Sequence, residues 1–136
     1  MESYPPSIAL RWKNQFGENS KLLSHFNVIP AMHHDEIVGW ENRSDFMKYI
    51  KPILFRDKLF ETDTMKKRLD LTKLLLEKSY EKSVIEILPE GNTLIERLFS
   101  LIILGDWVSI YLAFLNLIDP TPVAPIQKLK AMMVST

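Results

Sequence analysis

Residues 52–88, PILFRDKLFETDTMKKRLDLTKLLLEKSYEKSVIEIL, hold two short apolar runs on either side of a helical period. Pro52-Ile53-Leu54-Phe55 is apolar without interruption and is closed by Arg56-Asp57, the pattern of a strand buried on both faces. Val84-Ile85-Glu86-Ile87-Leu88 is a second strand candidate. Between them Thr62 or Asp63 can cap a helix over residues 64–79. Its inner face is Met65, Leu69, Thr72 and Leu76, with Leu75 beside them, and its basic residues point outward. Apolar strands alternating with helices indicate an α/β domain with a mostly parallel sheet covered on both faces.

Toward the C-terminus, Thr93 and Glu96 stand at capping-box spacing and open a long apolar helix, which Asp119-Pro120 stops. A last helix starts within residues 121–125, where prolines fit only a first turn, and runs to about Val134. Over residues 98–118 the only charge is Asp106, and that length could span a bilayer. Asp106, Ser109, Ala113 and Asn116, however, form a narrow small-or-polar stripe, and a mid-membrane carboxylate is costly unless paired. The expectation is a helix buried on most sides in a layered domain or a dimer interface, and no membrane span.

Toward the N-terminus, residues 7–16 read as a helix with Pro5 and Pro6 before it and Gly17 after it. Ile8, Trp12 and Gln15 or Phe16 share its face. Residues 18–21 form a polar turn suited to projecting side chains into a cleft, and residues 26–30 form a short strand or extended link ended by Pro30. The strand count is low for so many helices, so an N-terminal strand is expected to be missing.

The chain has 136 residues, enough for one domain, and 46% of them are apolar, enough for a core. Seventeen basic residues balance seventeen acidic ones, so no excess exists to neutralise a nucleic-acid backbone. Cysteine is absent, which removes disulfides, thiolate nucleophiles and Cys-containing zinc sites. The polar, proline-rich start carries no secretory pattern, and a cytoplasmic location is expected. Four scattered glycines form neither a dinucleotide fingerprint nor a P-loop, and no Gly-x-Ser-x-Gly elbow is present. His33-His34-Asp35-Glu36 reads as a polar surface turn rather than a metal site, because adjacent histidines point in different directions.

Taken singly, Glu18 and Lys130 are ordinary solvated residues. In combination they are not. Arg11-Trp12-Lys13-x-Gln15-x-x-Glu18-Asn19-Ser20-Lys21, then Pro30, then His34-x-Glu36-Ile37-Val38-Gly39-Trp40-Glu41 resembles the archaeal and bacterial bifunctional phosphoglucose/phosphomannose isomerases. These belong to the sugar isomerase (SIS) superfamily. Asp119-Pro120-Thr121-Pro122-Val123 also looks like that family's C-terminal end. One departure is that the family has Asn-His-Asn-Glu where this chain has His33-His34-Asp35-Glu36.

The resemblance implies a three-layer SIS fold lacking its first strand, with residues 1–136 as the C-terminal half of a two-SIS-domain isomerase. It implies aldose–ketose isomerisation of hexose 6-phosphates through a cis-enediol, with no cofactor and no metal. Glu18 would be the base at the carbon beside the carbonyl, a task that suits a carboxyl pKa of about 6–7. His34 would open the sugar ring, reaching in from the neighbouring subunit of a homodimer, with Lys130 assisting. Arg11 and Gln15 would bind substrate. The Ser/Thr-rich phosphate loop of the family lies in an N-terminal SIS half that would have to be supplied. The rival expectation is a non-catalytic SIS module that binds sugar phosphate or serves dimerisation.

Overall fold

The computed structural model describes residues 6–41, 45–80 and 84–134. Pro5, expected to lead into the first helix, lies outside the described residues. In chain order the elements are α1 (Pro6–Glu18), α2 (Met32–Asp35), β1 (Ile53–Phe55), α3 (Asp63–Tyr80), β2 (Ile85–Ile87), α4 (Leu94–Leu115) and α5 (Ala124–Val134). Short 3₁₀ turns occupy Ile37–Glu41 and Asp45–Tyr49.

β1 and β2 pair in parallel, Ile53 opposite Ile85, Leu54 opposite Glu86 and Phe55 opposite Ile87, with α3 as the crossover. The period of two in a strand sends alternate side chains to opposite faces. Ile53, Phe55 and Ile87 accordingly join the cluster of Ile8, Trp12 and Leu101 under α1 and α4. Leu54 joins Met32, Leu76 and Val84 on the other face, where Ile29, Ile37 and Trp40 complete the packing. The small sheet is thus covered on both sides by apolar contacts.

The alternation continues past the end of β1. Asp57 turns toward α4, is fully buried, and takes two hydrogen bonds from the Arg97 guanidinium, one of them Nε to Oδ2 at 2.9 Å. Arg56 turns toward α3 and meets Asp70 at 2.5 Å, Glu61 at 2.9 Å and Glu86 at 3.0 Å. Buried charges are tolerated only when paired in this way. Arg97 also donates to the carbonyl oxygen of Gly91 at 2.9 Å, and Gly91 has a φ of 121° that few other residues adopt. The capping box is present: Thr93 Oγ1 accepts from the Glu96 amide, and the Glu96 carboxylate accepts from the Thr93 amide.

On α4 the buried row is Arg97, Leu101, Gly105, Ser109 and Ala113, one residue per turn. Its small members let α1 approach closely. A Cβ on Gly105 would lie 2.7 Å from Trp12 Cδ1, so only glycine fits there. The opposite side of α4 presents Phe99, Ile103, Trp107, Tyr111 and Phe114, each more than half exposed. The helix is therefore covered on one side, not on most sides. By length and composition alone it could cross a membrane.

Two local expectations change, and one open alternative is decided. α1 continues through Gly17 to Glu18, and the left-handed Lys21, at a φ of 57°, marks the turn that follows. Of the two alternatives for residues 26–30 the link is the one formed, with no regular structure over 26–28 and a turn at 29–30. α4 ends at Leu115, before the left-handed Leu117, rather than at Ile118.

Candidate functional site

Glu18 is the last residue of α1 and is exposed. It stands on the wall of an open cleft of ≈ 350 Å³. Lys13, Asn14 and Gly17 from the same helix, Lys21 and Ser24 from the following segment, Pro122 from the approach to α5, and Pro125 and Ile126 from its first turn line the cleft with it. The wall is mixed: two ammonium groups and one carboxylate share it with apolar surface.

The turn after Glu18 is clamped to α4 through one residue, Ser109. Asn19 Nδ2 donates to Ser109 Oγ at 2.8 Å, and Ser20 Oγ donates to the Ser109 carbonyl at 2.6 Å. Ser20 and Ser109 are fully buried, so these bonds replace water that neither could otherwise reach. Lys21 Nζ donates to the carbonyl oxygen of Glu18 and, at 3.2 Å, to that of Pro120. A cation on the last carbonyls of a helix is favourable there. Together these contacts fix where α1 ends and hence where Glu18 stands.

The other sequence-expected residues occupy different surroundings. The Arg11 guanidinium grips Asp106 with two bonds, Nε to Oδ1 at 3.1 Å and Nη2 to Oδ2 at 2.7 Å. Asp106, the single charge of the long apolar stretch, thereby has its partner. The Gln15 side-chain oxygen accepts from Asn19 Nδ2 at 2.8 Å, which ties it to the clamp. His34 is exposed on α2, and Lys130 is exposed on α5, four residues beyond Ile126. Neither His34 nor Lys130 lines the cleft beside Glu18.

His33 and His34 do point apart. His33 Nε2 meets Thr72 Oγ1 of α3 at 2.7 Å, and that hydroxyl donates to the Arg68 carbonyl, so the imidazole is the donor of the pair. Burial, then the nearby Arg68 and His34, push the His33 pKa below its ordinary value. Glu36, two residues past His34, accepts from Asn27 Nδ2 at 2.7 Å, His25 Nε2 at 2.9 Å and Trp40 Nε1 at 2.8 Å. Burial raises its pKa, but the bonds from Asn27, His25 and Trp40 more than offset this and hold the carboxyl below its ordinary value. Asn27 also donates to Asp35 at 2.9 Å. Among the described residues no group of three or more His, Asp or Glu is placed to hold a metal ion.

The sequence marked Ser109 as part of a polar stripe but not as the anchor of the Glu18 turn. Glu36 carried a motif position without a role. Their partners lie up to 90 residues away, and spacing along the chain does not reveal them.

The profile of the bacterial phospho-glucose isomerase C-terminal SIS domain matches residues 2–133. The chain belongs to that family. As a C-terminal SIS domain it is 40% identical, over 90% of its length, to a bifunctional phosphoglucose/phosphomannose isomerase of Aquifex aeolicus (strain VF5), covering 38% of that protein. It is 43% identical over 90% of its length to the protein of that name from Caldicellulosiruptor bescii, covering 36% of it. It is 33% identical over 91% of its length to the protein of that name from Thermoplasma acidophilum, covering 37% of it. This SIS chain therefore spans little more than a third of the length of the curated relatives it matches.

Proposed function

We propose that this chain supplies the C-terminal part of the active site of a glucose-6-phosphate/mannose-6-phosphate isomerase, folded as one half of a three-layer SIS pair. The observation that carries this reading is the placement of Glu18, held on the cleft wall by the clamp on Ser109. The Glu18 carboxylate takes the C2 proton of the open-chain aldose phosphate. A cis-enediolate results, a proton passes within it from O2 to O1, and the Glu18 carboxylic acid returns its proton to C1 to give the ketose. Holding the base and the reacting carbon in one geometry removes much of the barrier.

The ring must open first, because a closed hemiacetal has no acidic C–H bond. His34 serves as that acid/base and Lys130 assists. The exposure of His34 away from its own protomer's cleft suits a role in the site of a neighbouring copy. Gln15 contacts substrate from within the clamp. Arg11 contacts it while anchored by Asp106, so its role is to orient more than to capture. An N-terminal SIS half supplies the phosphate loop, and remote phosphate binding then orients the reacting carbons.

The second reading, a non-catalytic SIS module, draws on the His33 and Asp35 departures. Both side chains are engaged inside the fold, His33 with Thr72 of α3 and Asp35 with Asn27 of the preceding link, while His34 stays exposed. One experiment separates the readings: Glu18→Gln in the assembly of this chain with an N-terminal SIS half. Isomerisation of fructose 6-phosphate should fall by about 10² or more, and exchange of the glucose 6-phosphate C2 proton with solvent should vanish, while substrate binding survives. Near-unchanged C2 proton exchange would remove Glu18 from the mechanism.

A further inference from the structure

The segment that carries His34 has little regular structure of its own. α2 is four residues long, and it lies between an extended link and a 3₁₀ turn. Such a segment holds a side chain in place only if something ties it down. Met32 ties its start by burying beside Leu76 and Val84. His33 ties its middle to α3 through Thr72.

The third tie is Glu36, and it differs in kind. Its two carboxylate oxygens collect three donors from two stretches: His25 and Asn27 before the turn, and Trp40 after it. Asn27 then reaches back to Asp35, and its own side-chain oxygen accepts from the Val28 amide at 2.7 Å. Chain that would otherwise swing about α2 is thereby closed into a polar ring around one carboxylate. Hydrogen bonds to an ionised acceptor are roughly twice as strong as neutral ones. None of the hydrogen-bond partners of Glu36 lines the cleft, and Glu36 itself follows His34 by two residues in the chain.

We infer that Glu36 is a positioning residue for His34, its carboxylate closing the loop 25–40 so that the turn presents the imidazole in the ring-opening geometry. The inference rests on the proposed role of His34. Glu36 takes no proton and meets no substrate. A glutamine in its place keeps the volume but turns one acceptor into a donor that faces donors, so the ring opens and the turn gains freedom. Misplacement of a catalytic group by about 1 Å is enough to cost about 10²-fold.

Ring opening can be read apart from isomerisation, because it alone interconverts the α and β anomers of glucose 6-phosphate. The test uses this chain assembled with an N-terminal SIS half, and follows catalysed anomerisation by exchange NMR beside the KM for the same sugar. Glu36→Gln should slow anomerisation by about 10-fold to 10²-fold with KM nearly unchanged, and should add nothing to a His34→Ala background. Full anomerisation in Glu36→Gln with loss in His34→Ala overturns the inference and leaves the role of His34 standing. Full anomerisation in His34→Ala overturns both. Equal loss of anomerisation and substrate binding in Glu36→Gln marks a general folding role and also overturns it. Should Glu36→Gln not fold, Trp40→Phe removes one donor from the same carboxylate, and it must show the same split in smaller measure for the inference to hold.

Discussion

The indole nitrogen of Trp12 donates to the carbonyl oxygen of Leu101 at 2.8 Å, so α1 is hydrogen-bonded to the backbone of α4 in the middle of the core. The bond is possible because Gly105, one turn on, offers no Cβ to the indole. The ring also stacks edge-on against Phe16 at 5.8 Å and Phe55 at 5.0 Å between centroids, which joins α1 to β1.

Gly105→Ala should therefore be destabilising although alanine favours helices. The helix-propensity gain is about 1 kcal/mol, whereas forcing a methyl group into a packed core costs about 1–3 kcal/mol and here also displaces the indole. Trp12→Phe, which loses the hydrogen bond and some volume, should lower stability as well. Urea unfolding midpoints measure both. A Gly105→Ala midpoint at or above wild type would show that the close approach has no energetic weight.

Removing one member of the buried Asp57–Arg97 pair should cost about 3–5 kcal/mol, since it leaves the other charge buried and uncompensated. Asp57→Leu combined with Arg97→Met should cost clearly less than the two single changes added together. A double-mutant cycle on unfolding free energy reads this directly, and strict additivity would contradict the pairing.

His33 sets a pH dependence. Its folded pKa lies below the ordinary value of 6.5, so the unfolded chain takes up the proton first. Its contribution to stability is intact above that value, and it falls as pH drops from 6.5 toward the folded pKa. His33→Asn should flatten this part of the profile. The comparison is the difference in unfolding free energy between wild type and variant, measured from about pH 7.5 to about pH 5.5. A difference that stays constant across the range would be the contrary result.

The outward row of α4 should be buried in part by a second copy in isologous contact. Light scattering should give a dimer, and Trp107→Glu should shift it toward monomer without unfolding it. A stable wild-type species of 15.9 kDa at micromolar concentration would count against this contact, and against a shared role for His34.

Much of the fold was legible because it rests on local periods. Met65, Leu69, Thr72 and Leu76 are all buried on α3, as their spacing requires, and Thr93 with Glu96 caps α4. Leu75 is more than half exposed, because a helix face against so small a sheet is narrow. Residues 26–30 carry strand-like side chains, but a strand also needs a backbone partner, and the described sheet pairs only β1 with β2. The candidate site was legible only in part. Helix spacing brings Glu18 to the end of α1, but the clamp on Ser109, the direction of His33 and the ring around Glu36 all join residues distant in sequence.

α4 turns its small residues inward and its bulky ones outward, so that if a second copy covers the outer row the chain becomes sensitive to its own abundance. While a copy waits for another, its surface offers Phe99, Trp107 and Phe114 to chaperones, proteases and wrong partners alike. Pairing of that kind would withdraw those side chains, and survival would then rise with concentration rather than being fixed by sequence. Dilution should shorten the lifetime of the folded chain, and the amount present in a cell should climb more steeply than its rate of synthesis.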